Sequence, residues 1–102
     1  MSTPDDKPLP AVGVYWFEEA DYPAVLEISD DRDTMPPTFE AWRKMAEEMK
    51  KGLEAYGHPV LKVRIDPKTF AAWCVAHGTT PGRAGRKMFV ADAVKERYGD
   101  QT

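Results

Sequence analysis

The sequence predicts an α+β domain of order ββαβαα: a three-stranded sheet, a long crossover helix and a C-terminal helix pair. Three stretches carry that prediction. Residues 60–65 alternate apolar and basic side chains and run straight into Asp66-Pro67, a helix-start signature. Residues 39–56 repeat apolar side chains at spacings of three and four. Residues 12–17 are a β-branched and aromatic run ending at the polar turn 18–21.

In chain order, residues 1–10 hold three prolines and two aspartates and are expected to form a flexible tail before a single domain at 11–98. A short second tail is expected at 99–102. The first strand, 12–17, is apolar on both faces, so the sequence places it centrally or covers it twice. Pro23 then opens a stretch in which Ala24, Leu26 and Ile28 alternate with Val25, Glu27 and Ser29, which predicts a second strand and a β-hairpin. Residues 30–37 are a loop by composition. In the long helix Phe39, Trp42, Ala46, Met49, Leu53 and Tyr56 form one stripe with Met45 beside it. Thr38 is placed as N-cap and Gly57 as the stop. That stripe predicts a core-facing helix. The third strand turns Leu61, Val63 and Ile65 one way and Lys62 and Arg64 the other. The next helix presents Phe70, Trp73, Cys74 and His77 on one face until Gly78. Thr80-Pro81 repeats the start signal for a last helix to about Tyr98.

Composition narrows the function classes. A chain of 102 residues buries about 60–70% of its unfolded surface in one core. No apolar run approaches the roughly 18 residues of a membrane helix, and the N-terminus lacks a basic-then-apolar leader. One cysteine cannot close an internal disulfide, which suits the cytoplasm. Residues 1–57 carry six Lys/Arg against thirteen Asp/Glu, and residues 58–98 carry eight against three. A split of that kind describes either a basic binding surface or two halves that attract each other, and the second is the simpler reading.

The chemistry-bearing groups are sparse. Cys74 and His77 are helical neighbours, but they flank Phe70 and Trp73, where a free cysteine behaves as a small hydrophobe. Asp30, Asp31 and Asp33 lack the glycine and bidentate glutamate of a calcium loop and read as a solvated acidic turn. No catalytic residue, cofactor or metal ligand is therefore expected. Residues 79–87 join a helix start to Arg83, Arg86 and Lys87, a weak anion-binding pattern. Tyr15, Phe17, Lys62 and Arg64 could share an open sheet face of the kind that stacks and holds single-stranded nucleic acid, unless a helix covers them.

Two resemblances attach to these residues. Residues 60–98, with an alternating strand, an Asp-Pro helix start, a Gly turn and a second helix, resemble a ribbon-helix-helix unit. That family pairs its strand with a partner's and reads DNA from outward side chains, which implies such a role for Lys62 and Arg64. Trp16-Phe17, residues 37–42 (PTFEAW) and residues 65–74 with Asp66-Pro67 and Phe70-Ala71-Ala72-Trp73-Cys74 resemble a group of small bacterial α/β proteins. That likeness implies a compact cytoplasmic domain and brings no activity. The function expected first is a non-enzymatic interaction or accessory protein, acting on a protein partner or on itself as a homodimer. The alternative is a nucleic-acid-binding protein using Lys62, Arg64, Arg83, Arg86 and Lys87.

Overall fold

Two strands, not three, form the sheet. The computed structural model describes residues 11–98; the tails expected at 1–10 and 99–102 lie outside the described residues. Strands β1 (Val12–Trp16) and β2 (Val60–Arg64) pair in parallel, from Val12 opposite Val60 to Trp16 opposite Arg64. Val12 N–H donates to Pro59 O, and Ile65 N–H donates to Trp16 O. The even-numbered residues of β1 thus bond to β2, and Gly13 and Tyr15 carry their N–H and C=O groups on the opposite edge. Among the described residues no strand pairs with that edge.

The expected hairpin is overturned: residues 24–28 belong to helix α1 (Tyr22–Ile28). Pro23 sits in its first turn, where a missing N–H costs nothing. The buried side chains are Tyr22, Val25 and Ser29, at helical spacing, while Ala24 is exposed. A strand turning Ala24, Leu26 and Ile28 inward would have left Val25 and Ser29, both fully buried here, outside. Tyr22 packs on the Phe17 ring at 5.4 Å. With that strand gone, the predicted three-stranded order becomes a βααβαα chain with a short 3-10 turn at Arg32–Thr34.

The later elements follow their local signals. Helix α2 (Phe39–Ala55) starts where the Thr38 hydroxyl accepts from Ala41 N–H at 3.1 Å. It ends before Gly57, whose φ of +84° favours glycine. Helix α3 (Pro67–Ala76) starts on the Asp66 carboxylate, which accepts from Lys68 and Thr69 N–H at 3.0 Å each. It buries Phe70 and Cys74 and stops before Gly78, at φ +67°. Helix α4 (Arg83–Tyr98) closes the chain.

The parallel register sorts the strands into two faces. Val14, Trp16, Lys62 and Arg64 lie on one, and Gly13, Tyr15, Leu61 and Val63 on the other. Helix α2 meets the first face where Trp42 packs edge-on against Trp16 at 5.1 Å. Helix α4 covers the second, so close to β1 that a Cβ on Gly13 would overlap Val90 Cγ1 and Val94 Cγ2. β-branched valines cannot swing away cheaply. Gly13→Ala is therefore expected to destabilise the fold by about 1–3 kcal/mol through overpacking. Urea unfolding checks this, and a variant as stable as the parent would mean that α4 is not seated on β1.

Candidate functional site: a groove along the free edge of β1

Helices α2 and α4 both reach past β1, and the space between them is a groove of about 790 Å³. Its floor is β1 at Gly13, Val14 and Tyr15, with Phe17 just past the strand, and the unpaired backbone groups there are those of Gly13 and Tyr15. One wall is α2, through Trp42, Met45, Ala46 and Met49, and the other is α4, through Val90, Ala91 and Val94. This explains the long apolar stripe of α2. Only Trp42 and Ala46 of it reach the core fully, while Met45 and Met49 remain 58% and 46% exposed on the groove. Of the stripe predicted to face a core, Met49 with its neighbour Met45 faces this groove instead, and Tyr56 is exposed outside it.

One end of the groove is polar. Arg86, 2% exposed, places its guanidinium 4.9 Å from the Tyr15 ring centre and grips Asp31 with both terminal nitrogens, at 3.2 and 2.6 Å. Ser29 Oγ lies 3.4 Å from the same group. Arg86 Nε is buried without a hydrogen-bond partner. Burial works against the charge on Arg86, but Asp31 and Tyr15 outweigh it, and the guanidinium pKa stays above its ordinary value. The bond from Arg86 in turn holds the Asp31 carboxyl below the ordinary aspartate value. Arg83 opens the same helix and Lys87 stands about one turn into it, both exposed at the groove, with no ion pair among the described residues.

The residues singled out from sequence do not converge on one surface. Tyr15 and Phe17 line the groove; Lys62 and Arg64 lie on the other sheet face. Lys62 Nζ sits 4.2 Å from the Trp16 ring centre. Arg64 is clasped by Asp21 at 2.9 Å and approached by Asp66 at 3.7 Å. Asp21 and Asp31 belong to the acidic half and Arg64 and Arg86 to the basic half, so part of the charge split is neutralised within the fold. Asp30 joins in by accepting from the Thr80 hydroxyl at 2.8 Å. The acidic loop, expected to be a solvated turn, pins the start of α4.

β2, the strand that resembled a ribbon-helix-helix ribbon, has its neighbour within the chain and parallel to it. Cys74 is fully buried, and burial pushes its thiol pKa up. A thiol reagent is expected to label Cys74 only as fast as the chain opens; rapid labelling of the folded protein would show that α3 does not cover it. His77 stacks on Trp73 at 3.9 Å instead of pairing with the thiol. Among the described residues no three His, Cys, Asp or Glu side chains cluster to hold a metal. No described helix is long and apolar enough to cross a membrane.

The fold and the groove together define a small α+β domain with an open, amphipathic slot. Comparisons with protein-family models, with curated proteins and with solved structures return no match for this chain.

Proposed function

We propose that the protein is a non-enzymatic binding module whose working surface is the groove between α2 and α4. The observation that carries this reading is the groove itself. Ligand sites are concave, mostly apolar, of roughly 300–1,000 Å³, and hold a few placed polar groups. The slot over β1 has that size, with methionine and valine walls and a polar end at Arg86 and Asp31. Exposed methionines suit such a surface because their unbranched side chains adapt to different shapes. Arg86 is already engaged by Asp31 and most of the lining is apolar, which supports a slot that holds an occupant by contacts. The lone, buried Cys74 goes with a reducing compartment, and cytoplasmic work belongs to the same reading.

Nucleic-acid binding is the second reading, favoured by the exposed Lys62 beside Trp16 and by the unpaired Arg83 and Lys87. It ranks lower because Arg64 and Arg86 spend their charge on Asp21 and Asp31. Amide shift mapping by NMR separates the two. Small apolar fragments are expected to move the amides of Gly13, Tyr15, Met45, Met49 and Val90. If fragments move none of these, or if a single-stranded oligonucleotide at low salt moves Lys62, Arg83 and Lys87 instead, the groove is not the working surface.

A further inference from the structure

We infer that the groove receives an extended peptide segment of a partner protein, added as a third strand to the free edge of β1, with an acidic residue at the Arg83 and Lys87 end. The inference rests on the groove being the binding surface and names its occupant. Two observations point to a strand. Gly13 and Tyr15 turn their N–H and C=O groups toward the slot, with no strand bonded to them among the described residues. An unpaired edge of this kind is a template for main-chain hydrogen bonds, and flanking pockets then select alternate side chains. The slot is walled on both sides of that edge, by Met45 and Met49 on one side and by Val90 and Val94 on the other. An added strand turns successive side chains to opposite faces, so both walls would be filled by one apolar-rich segment.

Charge sets the direction and the composition. Arg83 and Lys87 are exposed at the slot with no ion pair among the described residues, and Arg83 shares only the field of Asp31, which Arg86 already grips. A peptide carboxylate or carbonyl at that end supplies what they lack. β1 spans five residues, so the complementary segment is about as long, roughly 17 Å. The same walls disfavour a second copy seated edge to edge. Its own α2 and α4 would meet these helices before the strands came within the ~4.8 Å of a ladder.

The test selects nonapeptides from a random displayed library on the full chain, with Ala91→Trp as the counter-screen. Ala91 is exposed on the groove, so the indole fills the slot without disturbing the core, which circular dichroism verifies. Enriched peptides are expected to alternate apolar residues and to carry an acidic residue near one end. A synthetic peptide of the enriched sequence is then N-methylated at alternate residues in two sets. Methylation of the set facing β1 is expected to weaken binding about tenfold or more, and methylation of the other set to leave it near the parent value. Arg83→Glu with Lys87→Glu is expected to weaken it further. Equal effects of the two sets, or no enrichment over Ala91→Trp, overturn the strand. Sedimentation of the chain alone is expected to give a monomer; a dimer abolished by Ala91→Trp would make the occupant a second copy. If peptides fail while apolar fragments still map to the groove, only this inference falls.

Discussion

Asp31→Ala is expected to cost about 4–5 kcal/mol, and Arg86→Met nearer 3 kcal/mol, because breaking a buried ion pair leaves one charge uncompensated and the two leftovers differ. The Asp31 side chain keeps 21% of its exposure and the Arg86 side chain 2%. Alone, the carboxylate can turn toward water, whereas the guanidinium stays sealed between Tyr15 and Ser29 Oγ with no carboxylate to balance it. Removing the acid should therefore hurt more than removing the base. The double variant should cost less than the sum, since both charges leave together. Urea unfolding of the four proteins checks the order. An Asp31→Ala variant losing under 1 kcal/mol would mean that the pair is solvated and that α4 is held by packing alone.

The same pair predicts an acid-sensitive component of stability. The Asp31 pKa is lower in the fold than the ordinary 3.8 of an unfolded aspartate. Its contribution is present in full above that ordinary value and is lost as pH falls through the lower, folded one. The parent should lose stability across that strongly acid window, and Asp31→Ala should lack this portion of the loss.

What the sequence announced was local. The Asp66 cap, Pro67, the glycines after α2 and α3 and the alternation in β2 act within a few residues, and each reappears in the fold. Residues 22–28 failed as a strand because seven residues make only two helical turns, too few for a period to stand out against alternation. Asp21, the residue before the helix, has helical backbone angles and makes no side-chain cap, and its carboxylate accepts instead from Arg64, 43 residues away. A spacing signal was present in Tyr22, Val25 and Ser29, but only the fold shows that these are the buried members. The groove was visible in one respect: α2 carries more apolar stripe than a small sheet can cover. Its location depends on α4 returning over β1 and bringing Arg86 to Asp31 across 55 residues, and no local pattern encodes that return. The charge asymmetry was its trace in the sequence.

Trp42→Ala is expected to cost about 3–5 kcal/mol, in line with removal of a large buried aromatic side chain. Trp42 is the ring that the N-terminal half shares. Its centroid lies 4.8 Å from Phe17, 5.1 Å from Trp16, 5.7 Å from Phe39 and 6.2 Å from Tyr22. Those four side chains come from β1, the residue after it, α1 and the first turn of α2, so the indole ties the crossover helix to the sheet and to the helix that replaced the expected strand. Trp42 is also the deep end of the apolar groove wall. Two effects should therefore separate on a graded pair of variants. Trp42→Phe keeps a ring among its neighbours and should retain most of the stability while enlarging the slot, so fragments that bind the parent should shift their contacts toward α2. Trp42→Ala should lose the fixed aromatic packing as well, seen as a collapse of the near-ultraviolet circular dichroism well before the helical signal changes. If Trp42→Ala unfolds within 1 kcal/mol of the parent, the aromatic cluster is not what holds α2 in place, and the groove it lines has no fixed shape for an occupant to read.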